Sequence, residues 1–471
     1  MTSWVPDVEA RKGPRYLAIA DALAEDAGRG RLRAGVRLPT HRDLAERLGV
    51  TVGTVTRAYA EATRRGLVTG EVGRGTFVRA PAGSDAAPAA APASEPGLID
   101  LTANRPPEGP GENAAAVLAR TLAALGRRRD LARLLEYPSE GGAAEHRAAG
   151  AEWLRRCRLD VAPERVLVSS GSQHGMTVVF TALLSPGDLV LTEDLTYQGM
   201  KALAGLLSLR LQGVATDEHG LVPGALDAAC RRGAARALYC LPTLQNPTAS
   251  VMPEGRRREI AAVARAHGLI VVEDDVHGHL LENATRPLAT LLPEQTVYLN
   301  GTSKSLFPGL RVGFVVAPEA MVPRLSSAIR STTWMAAPLM AEIAARWIGD
   351  GTADAMVKRK RKETAVRQAL AARLLQHGQA GPRTAAYHLW LPLPEPWRAE
   401  AFAAAARRER VAVTPASVFA AQPGRTRPAP PEAVRVCLGA ASGRDELEKG
   451  LAVLARLLHA QPAPAPLPSG P

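Results

Sequence analysis

The chain has 471 residues, too many for one ordinary compact domain, and this length suggests about three units of roughly 150 residues or one small unit beside a large one. A hydrophobic share of 46% with 22% charged residues excludes a disordered or fibrous chain, and a net charge of +12 favours a polyanionic partner. With no run of about 18 apolar residues and no signal sequence, neither membrane insertion nor secretion is expected, and a cytoplasmic protein is. Cys157, Cys230, Cys240 and Cys437 are scattered and the ten histidines lack metal-ligand spacing, which fits a reducing compartment and no metal.

Residues 16–30, "YLAIADALAEDAGRG", predict a helix with Leu17, Ala20, Leu23, Ala24 and Ala27 on one stripe, ending at Gly28 and Gly30. Residues 41–48 predict a short helix with Leu44 and Leu48 one turn apart, closed by Gly49. The next run, "TVGTVTRAYAEATRRG", carries Val52, Val55, Tyr59 and Ala62 inward and leaves Thr54, Arg57 and Arg64 outward. Two short β runs then flank Gly73-Arg74-Gly75, a hairpin whose tip needs glycine's positive φ. Residues 1–80 hold 14 Lys or Arg against 9 Asp or Glu, as a phosphate-facing surface requires.

Residues 35–78 thereby resemble the winged helix-turn-helix of GntR-family bacterial regulators. The resemblance implies double-stranded operator DNA as partner, with the second helix of the pair in the major groove. Thr54 and Arg57 would then face base edges or phosphates, and Arg42 and Arg74 the DNA backbone. Val52 and Gly53 stand where the family often opens this helix with a polar or basic residue.

Residues 80–96 are nearly all Ala, Pro, Ser and Gly and predict a semi-stiff linker, while the Pro-rich 462–471 predicts a disordered tail. Beyond Leu98, apolar runs alternate with helix-length segments: "RVLVSS", "DLVLTED", "RALYCLP", "LIVVEDD", "TVYLNG" and "RVGFVVAP". The pattern predicts an α/β core with a mainly parallel sheet, whose ligands bind beyond the carboxyl ends of its strands. The helical run 253–268 turns Ile260, Val263 and Ala264 inward, and the basic run "VKRKRKE" at 357–363 reads as a solvated helix face.

The 58 basic residues include only seven lysines. One of them, Lys304, follows the strand "TVYLNG" among the small residues Thr302, Ser303 and Ser305, with Arg311 seven residues on. A primary amine forms an imine with an aldehyde, and a guanidinium does not. In "SSGSQHGM", a strand passes through small residues into a helix, so that the N–H groups of Gly171, Ser172 and Gln173 can hold a phosphate that Arg311 completes.

The Lys304 segment resembles the Schiff-base segment of fold type I pyridoxal-phosphate proteins, the aspartate aminotransferase-like class. This implies pyridoxal 5'-phosphate as cofactor, bound by Gly171, Ser172, Gln173, Ser303 and Arg311 and joined to Lys304 as an aldimine. Tyr197 would stack on the ring, Asn246 of "LQNPTAS" would donate to the phenolic oxygen, and Asp274 would pair with the pyridine nitrogen. Ala249 replaces the family's glycine after Asn-Pro-Thr. Val276 and His277 stand where the family places a further tyrosine donor; His277 is the candidate to replace it, and the loss puts catalytic competence in doubt. In "EAVRVCLGAAS", Arg435 would grip a substrate or effector carboxylate.

The expected domains are a winged helix-turn-helix at 1–79, a linker at 80–96, an aminotransferase-like domain at 97–461 with a smaller C-terminal α+β part, and the tail. Together they resemble the MocR subgroup of GntR regulators, which implies a homodimer. The implied function is transcriptional regulation in response to an amino acid, an amine or pyridoxal phosphate itself, with little or no turnover. The alternative is an active aminotransferase of the aminoadipate or kynurenine type.

Overall fold

The computed structural model describes residues 4–8, 13–28, 32, 36–65, 67–71, 75–78, 95–109, 114–376, 385–421 and 430–460. Arg74 and the wing tip, the side chain of Arg64, residues 80–94 of the expected linker and the tail 462–471 lie outside the described residues. The chain divides into two units, Met1–Pro88 and Ala89–Pro471.

The first unit packs α1 (Arg15–Gly28), α2 (His41–Leu48) and α3 (Val52–Arg64) against a hairpin of β1 (Val68–Glu71) and β2 (Gly75–Val78). Thr40 caps α2 by accepting from the Asp43 N–H at 3.2 Å, and Gly49 closes it in the left-handed region at φ 61°. Thr51 caps α3 through the Thr54 N–H. Ile19, Leu23, Leu38, Leu44, Val55, Tyr59 and Ala62 build the core, and the Tyr59 hydroxyl donates to the Pro39 carbonyl at 3.0 Å. Arg37 bridges Phe77 and extends the hairpin by one strand position.

Two sequence expectations need correction here. The buried stripe of α1 centres on Ile19 and Leu23 with Ala18, Ala20 and Ala22, while Leu17, Ala24 and Ala27 are half-buried; the fully buried Ile19 is the residue that the Leu17-based register passed over. Val52 is exposed, not inward, because it opens α3 at the end where the helix leaves the core, and the buried stripe begins at Val55.

The second unit begins with β3 (Ile99–Asp100) and continues through β4 (Val166–Ser169), β5 (Leu189–Glu193) and β6 (Arg210–Val214) to a small hairpin, β7 (Thr216–Asp217) with β8 (Gly220–Leu221). β9 (Ala235–Cys240), β10 (Ile270–Asp274), β11 (Thr296–Gly301) and β12 (Gly313–Val316) complete the large sheet, in the order β4-β12-β11-β10-β9-β5-β6. Only β12 runs antiparallel to its neighbours. The strands bury both faces, as parallel sheets do: Val166, Val168, Tyr298, Phe314 and Val316 serve one core and Leu167, Val297, Leu299 and Val315 the other.

The C-terminal part is an α+β layer, with β13 (His388–Pro392), β14 (Val411–Ala412), β15 (Thr414–Pro415) and β16 (Ala433–Cys437). β13, β16 and β15 form an antiparallel sheet, β14 pairs with β3, and the helices Ala399–Arg408 and Arg444–His459 cover them. The helix Thr352–Leu375 corrects the reading of "VKRKRKE". Lys358, Arg359 and Lys362 are solvated, but Lys360 is buried over the Phe307 ring and Glu363 is buried against Arg367 and Arg444. Within the helix Glu254–Ala266 the inward face is Arg257, Ile260, Ala261 and Ala264, with Val263 half-buried. Among the described residues no helix is long and apolar enough to cross a membrane, and no His/Cys/Asp/Glu group could hold a metal ion.

Candidate cofactor site

The polar residues singled out in the second unit gather where β4, β9, β10 and β11 end. β4 turns at Ser170–Gly171 into the helix Ser172–Leu183, whose first turn holds no acidic residue. Gly171 has φ 85° and ψ 166°, a conformation that is essentially glycine's alone, and a Cβ there would lie 2.6 Å from Arg311 Nη2. A Cβ on Gly313 would meet the Gly171 carbonyl carbon at 2.6 Å and the Ser172 nitrogen at 2.9 Å. Both absent side chains clear a cradle of backbone N–H groups at a helix N-terminus, the geometry that binds anions. Arg311 stands beside it in the left-handed region at φ 50°, donating to Ser303 Oγ and the Ser170 carbonyl at 3.3 Å each. The Gln173 side chain turns to the Gly199 carbonyl at 3.4 Å.

Lys304 follows β11 in the short helical turn Thr302–Ser305. Its Nζ donates to the Asn104 carbonyl, and its own carbonyl accepts from the Tyr387 hydroxyl at 2.7 Å. Burial lowers the amine to about 8; Arg435 and Arg311 push the same way, while Cys437 and Asp274 oppose. A primary amine with this pKa is available as a nucleophile near neutral pH.

Asp274 ends β10. Its Oδ2 accepts from the Tyr239 hydroxyl at 2.7 Å and its Oδ1 from the Val276 N–H at 3.4 Å. Burial raises the carboxyl to about 6, against the pull of these two bonds. Asp275 is a separate case, because it accepts from the Tyr298 hydroxyl at 2.5 Å. His277 is buried, its ring 6.3 Å from that of His388, and its Nε2 has no hydrogen-bond partner. Burial first, then Lys304, His388 and Arg435, hold it well below the usual histidine range, so it is uncharged.

Asn246 Oδ1 accepts from Arg435 Nη1 at 2.6 Å, and Arg435 Nη2 donates to the Thr102 carbonyl at 2.6 Å. The guanidinium lies 4.7 Å from the centre of the Phe419 ring, and its Nε has no partner. Ala249, where the sequence replaces glycine, sits buried in the left-handed region at φ 56°. Tyr197 is half-buried at the start of the helix Gln198–Leu206, in the field of Asp274, Arg435 and Arg311.

The structure thus brings Gly171, Ser172, Gln173, Tyr197, Asn246, Asp274, His277, Ser303, Lys304, Arg311 and Arg435 into one neighbourhood. Arg42, Thr54 and Arg57 lie in the first unit, Arg42 and Arg57 exposed and Thr54 half-buried. Sequence reasoning missed Tyr239, Asn104, Thr102 and Phe419. Tyr239 comes from the register of β9 on β10, which pairs it with Val272 on the face that carries Asp274. Asn104 and Thr102 arrive through the pairing of β3 with β14, and no local pattern marks either.

An electrophilic ring bearing a phosphate fits these groups. The glycine-cleared cradle accepts the anion, Asp274 meets a protonated ring nitrogen, and the unpartnered His277 Nε2 and Arg435 Nε sit near Lys304. The Asn104 amide, whose Oδ1 and Nδ2 also lack partners, borders the same amine. A mainly parallel seven-stranded sheet with this amine and carboxylate at adjacent strand ends defines a fold type I aminotransferase-like domain, the class whose cofactor is pyridoxal 5'-phosphate.

Residues 96–454 match the family "Aminotransferase class I and II" and residues 15–78 "Bacterial regulatory proteins, gntR family". The chain is 30% identical over 457 residues, 97% of both chains, to the uncharacterized HTH-type transcriptional regulator YdeF of Bacillus subtilis. It is 28% identical to the pyridoxine biosynthesis regulator PdxR of Corynebacterium glutamicum, over 64% of this chain and 65% of that one. Among solved structures, α-aminoadipate aminotransferase LysN of Thermus thermophilus, complexed with N-(5'-phosphopyridoxyl)-L-leucine, superimposes with a TM-score of 0.66 at 29% identity. That match covers 77% of this chain and 92% of the other. The chain belongs to the MocR subfamily of GntR transcriptional regulators, in which a helix-turn-helix domain precedes an aminotransferase-like domain.

Proposed function

We propose that this regulator binds pyridoxal 5'-phosphate at Lys304 and switches its grip on operator DNA when an amino acid, an amine or pyridoxal phosphate itself enters the site. The carrying observation is the Lys304 amine just past the end of β11, lowered to about 8 and in the field of Asp274, Arg311 and Arg435. When bound, the cofactor supplies an aldehyde carbon open to attack by a primary amine.

The chain's residues do the rest. Gly171, Ser172, Gln173, Ser303 and Arg311 hold the phosphate, Asp274 keeps the ring nitrogen protonated, Tyr197 covers the ring, and Asn246 and His277 face its phenolic oxygen. Arg435 receives the effector's carboxylate. An arriving amine competes with Lys304, and the displaced Nζ has a seat on the Asn104 carbonyl. Asn104 follows the expected linker in sequence, and on this proposal a change in its partner would be passed on through that segment. The relative named for pyridoxine biosynthesis supports the cofactor itself as one class of effector.

The working form is a homodimer. The exposed Leu118, Leu122, Leu131, Leu135, Tyr137 and Trp334 give the second unit an apolar surface of the kind that interfaces cover. The test titrates the loaded protein with a panel of amino acids and amines, following its visible absorbance and its DNA affinity together. Displacement of the band with a change in affinity supports the reading. A Lys304→Ala protein that keeps the loaded spectrum, or steady amino transfer to oxo acids without sequence-specific DNA binding, refutes it.

A further inference from the structure

The exposed face of α3 has an unusual chemistry for a helix that enters the major groove. Val55, Ala58, Tyr59 and Ala62 point into the core, so the exposed positions of the first turns of α3 are Val52, Gly53, Thr56, Arg57 and Ala60. Its hydroxyls are already engaged. Thr51 and Thr54 share a hydrogen bond at 2.9 Å, and Thr51 Oγ1 also accepts from the Thr54 N–H. Thr56 Oγ1 donates to the Val52 carbonyl at 2.9 Å and lies 3.2 Å from His41 Nδ1.

Among the described residues of these first turns, the one long polar side chain, Arg57, is also held aside. The Arg57 guanidinium sits 4.4 Å from the centre of the Tyr16 ring on α1, a cation–π contact that turns it from the helix's leading end. What remains is a row of methyl groups: the two γ carbons of Val52, the γ carbon of Thr56 and the β carbon of Ala60. Gly53 lies among them with only Thr51 Oγ1 within 4 Å of where a Cβ would be, so the helix backbone can approach the groove floor closely.

The major groove offers one apolar group at base edges, the C5 methyl of thymine. We infer that α3 reads thymine methyls by apolar contact, with Val52 as the specificity-determining residue, instead of reading hydrogen-bond patterns. A single exposed valine carries no message by itself; here it opens the groove-facing helix among hydroxyls already bonded to neighbouring groups of the same unit. The inference rests on the DNA-binding reading of this unit.

The test selects a preferred duplex for the full-length protein from random sequences, then replaces each thymine in it by deoxyuridine, which lacks only the methyl. Wild type should lose about fourfold in affinity at one position per half-site, the worth of one buried methyl. Val52→Ala should show little or no loss at that position, with its salt dependence unchanged because the phosphate contacts remain. Val52→Thr, which keeps one γ methyl, should fall between, and being near-isosteric it guards against a folding artefact. A thymine-to-deoxyuridine ratio that is the same in wild type and Val52→Ala overturns the inference while leaving DNA binding intact. A protein that selects no sequence at all overturns the DNA-binding reading and the inference with it.

Discussion

Gly171→Ala tests the phosphate cradle with one methyl group. The backbone at φ 85° and ψ 166° belongs to a region that costs a residue with a side chain about 1–3 kcal/mol, and that part should appear as lost stability. The new Cβ would also stand 2.6 Å from Arg311 Nη2 and 2.9 Å from its Cζ, so the guanidinium must leave. Its departure breaks the 3.3 Å bonds to Ser303 Oγ and the Ser170 carbonyl that aim it at the cradle. Losing one charge-assisted bond to the phosphate costs about 1.5–3 kcal/mol, or roughly ten- to hundredfold in affinity. Absorbance titrations of cofactor-free protein should show that loss for pyridoxal 5'-phosphate and almost none for pyridoxal, which has no phosphate. Equal losses for the two ligands, or none for the phosphate ester, would refute the cradle.

Three further outcomes are expected. Stopped-flow uptake of the cofactor should accelerate with a midpoint near pH 8, because Lys304 reacts as the free amine and burial has brought it to about 8. The same shift has a sign for stability: between about pH 8 and 10.5 the unfolded chain holds the extra proton, so cofactor-free protein should gain stability as pH rises through that window, measurable by denaturant melts. Tyr239→Phe removes a donor from the Asp274 carboxylate, worth about 1.5–3 kcal/mol, and should weaken pyridoxal and its phosphate alike, unlike Gly171→Ala. Arg435→Lys cannot span both Asn246 Oδ1 and the Thr102 carbonyl; calorimetry should show at least about tenfold weaker binding of an amino acid effector, with cofactor uptake and binding of the matching decarboxylated amine preserved.

The elements legible in the sequence were those whose cause is local. Thr40 and Gly49 bracket α2 by capping chemistry that a sequence states directly, and the strands of the large sheet are apolar runs that both faces bury. The errors arose where a partner element decides. Leu17 and Ile19 stand two residues apart and so on different sides of α1, and packing in the folded unit buries the Ile19 side. Lys360 and Glu363 read as solvent-facing because four cationic neighbours surround them, yet the Phe307 ring and Arg444, which help to cover them, come from distant parts of the chain and join Arg367 one turn along the same helix.

The same division runs through the site. Lys304, Asp274 and the Gly171 turn each sit at a strand end with a local signature, so their chemistry could be read before their geometry. Tyr239 and Asn104 have no signature, since sheet register and the β3 pairing bring them in. His277 lies between these cases. Its position in sequence made it a candidate donor, but only its surroundings decide its charge: buried among Lys304, His388 and Arg435, it is held neutral. A neutral imidazole can give one N–H to an oxygen but adds no positive field, and the adjacent Val276 contributes only its backbone N–H, which is spent on Asp274. The groups brought together here fit a phosphorylated pyridine, and the histidine among them would meet it as a neutral donor or acceptor.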